Sequence, residues 1–339
     1  MPYTLVPFTQ EYLEPAVALF IESYTSEQQH SLVLPSRVLD EPTWIQGLLH
    51  ANLANPGVVV VEQNHVLAYM VTGDHFVWKG QQAAIVLEYG HSAIVTNKRA
   101  LYQRMYMYLA QQWVNQQIHL HLIRYFAHDL ILQETLYHLG FGAILAERLR
   151  ACSAVAARHD VAIRVEQDVS RLITLQTEHN RYYLNAPIFI RKPTAHQDVL
   201  AELAAHAAQG DVVFAYDDQQ EPGAYMIVGE SSSDGEGFLL QQTKTAQIKS
   251  AYVRPELRGQ GIGTALLQRA VEWAHQQRYA RVFVEHETAN VYGGPFWGTY
   301  FTPYLYAAMR YIDPTLVSRD DERAHHGKMG NALAIDHMR

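Results

Sequence analysis

Hydrophobic and polar positions along the chain switch between a two-residue and a 3.6-residue period, and the switches come in the same order twice. In the first half, Tyr3–Phe8 reads as a short strand and Leu13–Tyr24 as a helix with Leu13, Val17, Phe20 and Ile21 on one face. A second helix is expected over Trp44–Leu53, stopped by Asn55-Pro56-Gly57. Gly57–Glu62 and Val66–Thr72 form a hairpin turning at Gln63-Asn64-His65. Strand Ala83–Leu87, helix Leu101–Val114, strand His119–Phe126 and helix Ile131–Leu139 complete an alternating α/β pattern.

The second half repeats it. Val161–Gln167 is a strand, Val169–Leu184 and His196–Ala208 are helices, and Val212–Asp217 with Ala224–Gly229 is a hairpin across Gln219–Pro222. Strand Ile248–Val253, helix Gly263–Gln277, strand Arg281–Glu285 and a last strand Tyr306–Ile312 follow. Matching elements lie about 150 to 160 residues apart, an internal duplication of one supersecondary array. The expected division is a first domain over 1–150, a linker of small residues over 150–160, a second domain over 158–313 and a polar tail over 314–339.

Composition narrows the setting. The chain has 339 residues, 48% of them hydrophobic, enough for two cores. No run of about eighteen apolar residues occurs, so no membrane span is expected. No secretion signal opens the sequence, and the single cysteine, Cys152, excludes an internal disulfide, which together fit the cytoplasm. A net charge of −8 argues against a generic nucleic-acid surface. The 18 histidines show no convincing helical pair with a third ligand, so no metal is expected.

The chemistry gathers at 252–268, YVRPELRGQGIGTALLQ, where a strand breaks at Pro255, turns through glycines and continues as a helix. Gly259, Gly261 and Gly263 clear side chains from the start of that helix, and Arg258 adds a cation. Free N–H groups at a helix N-terminus favour a phosphate or pyrophosphate. The loop is not a Walker A motif, because no Gly-Lys-Ser/Thr follows, and it lacks the acidic ribose ligand of a dinucleotide fingerprint.

The stretch resembles motif A of the GNAT superfamily, Arg/Gln-x-x-Gly-x-Gly/Ala, through Arg258, Gly261 and Gly263, with Val253-x-Pro255-Glu256 before it and Thr264-Ala-Leu-Leu267 after it. The resemblance implies a mixed α/β fold repeated as two tandem GNAT acyl-CoA N-acyltransferase folds. It also implies acetyl-CoA as co-substrate, held by Tyr252, Val253, Arg258, Gly259, Gln260, Gly261, Ile262, Gly263 and Thr264, and an amine-bearing acceptor. The first-half counterpart, AIVTNKRAL at 93–101, has no glycine, so no acyl-CoA site is expected there. Tyr137, in a GNAT-like Leu-Tyr-x-x-Gly-Phe ending, is either a relic acid or a core or rim tyrosine.

Past the strand at 281–285, the segment to Asp313 resembles tandem GNAT proteins of unassigned substrate through Glu285, Glu287, Asn290, Phe296-Trp297, Tyr300-Phe301 and Arg310-Tyr-Ile-Asp313. Superfamily usage places Asn290 on the CoA arm, while an N-cap is the alternative. Seven residues on, where the superfamily often has a tyrosine acid, this chain has Trp297, whose indole cannot serve. Tyr292, Tyr300, Tyr304 or solvent remain as proton donors, with Glu285 and Glu287 as candidates to take the proton of the attacking amine. A backbone N–H near Val253 would face the developing oxyanion. The expected activity is acetyl transfer by direct attack through a tetrahedral intermediate, without an acyl-enzyme. A CoA-binding regulatory or interaction module without turnover and transfer of a longer acyl group are the alternatives. Fused halves can replace the dimer of single-domain relatives, so a monomer is expected.

Overall fold

The structure, a computed structural model, describes residues 3–156, 161–231 and 237–316. The first repeat runs β1 (Thr4–Pro7), α1 (Leu13–His30), α2 (Arg37–Asp40), α3 (Pro42–Ala51), β2 (Gly57–Glu62), β3 (His65–Val71), β4 (Phe76–Trp78), β5 (Gln81–Val86), β6 (His91–Ala93), α4 (Lys98–Asn115), β7 (Leu120–Phe126), α5 (Leu130–His138) and β8 (Gly142–Ala151). The second runs β9 (Arg164–Glu166), α6 (Ile173–Tyr183), α7 (His196–Ala208), β10 (Val212–Asp218), β11 (Glu221–Glu230), β12 (Thr245–Val253), α8 (Ile262–Gln276), β13 (Arg281–Glu287), α9 (Gly293–Tyr300) and β14 (Thr302–Tyr311).

The chain divides into two units that are not the two repeats. One takes in Val38–Ala143 with the described parts of Met1–Glu27 and Leu305–Arg339; the other takes in Gln28–Arg37 and the described parts of Ile144–Tyr304. The division therefore falls within β8, between Ala143 and Ile144, rather than at the expected 150–158, and β8 runs into the start of the expected linker. Residues 305–311 of β14, placed by the sequence in the second domain, return to the first unit. Of the expected tail, residues 317–339 lie outside the described residues.

In the first unit, β1-β2-β3-β6 form one antiparallel sheet, and β5 runs parallel to β7, which pairs antiparallel with 305–311 of β14. Helix α4 covers these strands: Leu101, Met105, Leu109 and Trp113 are buried against Val58, Val60, Met70 and Ile123. In the second unit the order is β8-β13-β12-β11-β10-β9, with β12 and β13 parallel and the other pairs antiparallel. Each unit is thus closed by the last strand of the other repeat.

The second unit has a core on each face of its sheet. Helix α8 buries Ile262, Leu266, Leu267, Ala270 and Val271 against Ala246, Ile248, Val282 and Val284. On the opposite face, α6 and α7 bury Leu175, Val199 and Leu203 against Val213, Tyr225, Ile227 and Tyr252. These apolar stripes recur at helical spacing, which is why the sequence locates the helices within a few residues. Helix α9 follows Asn290, for which the sequence left an N-cap as the alternative role; Asn290 Oδ1 accepts the Gly293 N–H at 2.9 Å.

Candidate active site

Strands β12 and β13 share a parallel register over only four pairs, from Thr245–Arg281 to Ile248–Val284, while β12 continues to Val253. The register of β12 against β11 slips between Ile248 and Ser250, so Lys249 is a bulge residue at the point where the two parallel strands part. Beyond it the Arg254 N–H donates to the Gly223 carbonyl on the β11 side at 3.1 Å. Ladder bonds alternate along a strand, so the amides of Tyr252 and Arg254 face β11 and those of Ala251 and Val253 face the gap. A cavity of about 580 Å³ fills this gap.

The glycine turn forms one wall. Gly259 and Gly261 have φ of +76° and +84°, values that side chains resist, and Gly261 stands directly before α8 with no side-chain cap on the helix. A Cβ on Gly263 would sit 3.4 Å from the Phe296 ring, in ordinary van der Waals contact with α9. The first intrahelical bond runs from Ala265 N–H to the Gly261 carbonyl at 3.0 Å, leaving the amides of Ile262, Gly263 and Thr264 without helical acceptors. With the positive end of the helix dipole behind them, these groups fit an anionic diphosphate. Arg258 donates from Nε to the Val253 carbonyl at 3.1 Å, and its guanidinium lies 4.7 Å from the ring centre of Tyr292 and 5.6 Å from that of Tyr182.

The sheet separates the cavity into two sides. Ala251 and Val253 pack with the α8 core, whereas Tyr252 belongs to the core under α6 and Ser250 contacts Tyr225 there. On β13, Val282 and Val284 face α8, so the alternate residues Glu285 and Glu287 face the α6 side, as the sequence spacing predicts. Glu285 lines the cavity, and Glu287 shares a hydrogen bond with the Tyr183 hydroxyl of α6. Burial first, then the Glu287 charge, drives the Tyr183 phenol well above its ordinary range, so it stays a proton donor to Glu287. On the α8 side His286 accepts from Arg148 Nε at 2.9 Å and donates from Nδ1 to the Glu287 carbonyl; burial lowers its pKa.

Of the sequence-expected cofactor residues, Tyr252, Val253, Arg258, Gly259, Gly261, Ile262, Gly263, Thr264 and Asn290 come together around the cavity. Gln260 does not line it; its side chain is exposed and bonds back to the Glu256 carbonyl. Asn290 Oδ1 accepts from the amides of Tyr292 and Gly293 and from the Tyr182 hydroxyl. Its carbonyl oxygen thus caps α9 while its NH₂ is left for the cavity.

The candidate acids are dispersed. Tyr304 is a correction: it has no exposure, hydrogen-bonds to the buried Glu147 and does not line the cavity. Its position on β14 directs it into the sheet, a placement that the aromatic run 300–306 concealed. Tyr300 also lies off the cavity, with its hydroxyl 2.9 Å from Thr264 Oγ1 and its ring against Phe296. Trp297 and Tyr292 do line it, the first nearly buried and the second exposed.

Sequence reasoning missed the α6 wall: Gln176, His179, Asn180 and Tyr183. Their spacing, i, i+3, i+4 and i+7, was the available signal, a polar stripe on one helix face. His179 is buried, stacks on Tyr252 with ring centres 5.0 Å apart, and bonds through Nδ1 to the Tyr225 hydroxyl at 2.7 Å. Among the described residues no three His, Cys, Asp or Glu side chains group to hold a metal ion, and no helix is long and apolar enough to cross a membrane.

Residues 175–297, which contain every residue lining this cavity, match the acetyltransferase (GNAT) family. A GCN5-related N-acetyltransferase from Sphaerobacter thermophilus superposes with a TM-score of 0.55 at 12% identity, covering 93% of this chain and 97% of that one. A fungal GCN5-related glucosamine N-acetyltransferase region within a multi-domain GH3 β-N-acetylglucosaminidase gives 0.51 at 10% identity, covering 91% of this chain and 38% of that one. A tandem GNAT protein from the clavulanic acid biosynthesis pathway gives 0.46 at 12% identity, with 93% and 100% covered. No curated protein matches the chain.

Proposed function

We propose that the chain is a tandem GNAT-superfamily protein whose second unit moves an acetyl group from acetyl-CoA to a primary amine by direct attack, a reading supported by the family match over residues 175–297. The observation that carries this reading is the parting of β12 from β13 beside the glycine turn, which opens backbone donors to a cavity at two points. The amides of Ile262, Gly263 and Thr264 would hold the diphosphate, and Asn290 and the gap-facing amides of Ala251 and Val253 the extended arm. Bound acetyl-CoA supplies the activated acetyl thioester. The Val253 or Ala251 N–H would stabilise the oxygen that becomes negative as the amine adds. Glu285, on the α6 side of the cavity, would take the proton that the attacking nitrogen loses, directly or through water. Holding amine and thioester together supplies much of the acceleration. A cytoplasmic monomer is the setting this reading implies.

Trp297 stands in the cavity where the superfamily often places its acid, and Tyr300 is engaged by Thr264 outside it. That arrangement favours, as second reading, a CoA-binding module without turnover. Calorimetric titration of acetyl-CoA into the protein and into Gly261→Glu, followed by thiol release over a panel of primary amines, separates the two. Binding to the parent and none to the variant, with release for one amine class, is the expected result. Binding without release supports the module, and no binding by the parent sinks both.

A further inference from the structure

The polar groups behind the cavity's α6 wall fix one another's protons. Asn180 Nδ2 lies 2.7 Å from the Pro193 carbonyl and 3.2 Å from Glu202 Oε2, both acceptors, so the amide nitrogen must point there. Asn180 Oδ1 is therefore an acceptor, and it takes its hydrogen bond from Gln176 Nε2 at 3.1 Å. The same Gln176 nitrogen donates to Glu202 Oε1 at 3.3 Å, which turns Gln176 Oε1 toward the Tyr225 hydroxyl. An amide oxygen only accepts, so the single phenolic proton of Tyr225 goes to Gln176.

His179 Nδ1 lies 2.7 Å from that same phenolic oxygen, whose proton is already committed. Two lone pairs cannot face each other at this distance, so Nδ1 carries the imidazole proton and donates it to Tyr225. Burial, with Lys192 and Arg258 nearby, lowers the His179 pKa to about 3, so the ring is neutral near pH 7. In a neutral ring with Nδ1 protonated, Nε2 is a bare lone pair, and it has no hydrogen-bond partner among the described residues. Ser250, 2.9 Å from the Tyr225 oxygen, gives the same centre its remaining contact. The order of protons thus runs from Pro193 and Glu202 through two amides and a phenol to a ring that lines the cavity.

We propose that His179 is an acceptor-positioning residue: its Nε2 receives a hydrogen bond from the reacting N–H of a primary amine and aims that nitrogen at the gap between β12 and β13. The proposal rests on the acetyl-transfer reading for the amine, but the tautomer is a property of the ligand-free protein. His179 does not take the proton away; Glu285 does. The arrangement selects an acceptor that donates a hydrogen bond from its nucleophilic atom, and it places the other end of that acceptor toward Tyr183 and Lys192.

The test is nitrogen NMR of protein labelled at histidine, at pH 7, with His179 assigned through His179→Asn. The expected ligand-free spectrum shows Nε2 as an unprotonated, pyridine-type nitrogen and Nδ1 as protonated. Spermidine, glucosamine and a lysine peptide are then titrated in, and an amine that binds shifts Nε2 in the direction of hydrogen-bond acceptance while Nδ1 holds. In turnover with that amine, His179→Asn raises its KM by about tenfold to a hundredfold and leaves acetyl-CoA affinity unchanged; His179→Gln, which can restore an acceptor atom near Nε2, recovers part of the loss. A proton on Nε2 in the ligand-free protein overturns the proposal whatever the amines do. An unprotonated Nε2 that none of the three amines moves overturns the amine assignment. A shifted Nε2 without thiol release upholds the positioning role and refutes turnover.

Discussion

Each unit carries a parallel strand pair beside a helix, and the two pairs part differently. In the second unit β12 bulges at Lys249 and runs on past its partner, and small Ala251 stands at the opening. In the first unit the equivalent strand is broken into β5 and β6, and His91 stands at the start of β6. His91 accepts from the Tyr102 hydroxyl at 2.8 Å and donates from Nε2 to the Arg124 carbonyl of β7 at 2.7 Å. The imidazole ties the strand to its neighbour and to α4, closing the place where the other unit is open. The turns differ as well: three residues, 94–96, and Asn97 at φ +59° lead into α4, against the eight-residue glycine turn before α8. In the first unit, polar groups that satisfy one another stand where the second unit has its cavity.

That contrast has a direct test. Ala251→His places the first unit's plug in the second unit's gap. The imidazole would occupy the space beside the amides of Ala251 and Val253, and acetyl-CoA affinity should fall by about a thousandfold, roughly 4 kcal/mol. Calorimetry reads the affinity, and an unchanged thermal midpoint shows that the fold survives. Affinity within threefold of the parent would mean that the gap is not where the ligand enters.

Much of this contrast was legible in the sequence. The glycine turn, the hairpins and the apolar helix stripes are local patterns, and 93–101 lacks the glycines of the turn before α8. Which strand completes which sheet was not legible, because β8 and β14 have ordinary alternating sequences and their partners are fixed by contacts far along the chain. The same nonlocality hid Tyr304, whose partner Glu147 is on β8. The buried network of α6 escaped because Gln, His and Asn in a polar helix read as a solvated face.

Buried histidines give the comparison a pH dependence. Burial lowers His91 and His121 of the first unit to about 4 and His179 of the second to about 3. Each stays neutral when folded but takes up a proton when unfolded near its ordinary 6.5, so the unfolded state binds more protons below that value. The stabilisation is fully present above about pH 6.5 and is lost as pH falls toward 4 in the first unit and 3 in the second. The loss is on the order of 3 kcal/mol for each first-unit histidine and about 5 kcal/mol for His179 over its wider window. Denaturation midpoints measured from pH 7 to 4 should fall, and His91→Gln should flatten the slope by about one proton. A slope unchanged in that variant would show that His91 titrates when folded.

The smallest effect is expected at Tyr137, where sequence alone left a relic acid standing beside a packing role. The residue is 74% exposed on α5, with its ring against His138 and no place in the first unit's core. A proton donor for thiolate needs a bound thioester within reach, and the strand gap that would hold one is bridged by His91. Tyr137→Phe should therefore leave both acetyl-CoA affinity and thiol release unchanged within error, and stability within about 0.5 kcal/mol. A drop in turnover of tenfold or more in this variant would mean that the first unit takes part in the chemistry, and would break the division between an open and a closed unit at its weakest point.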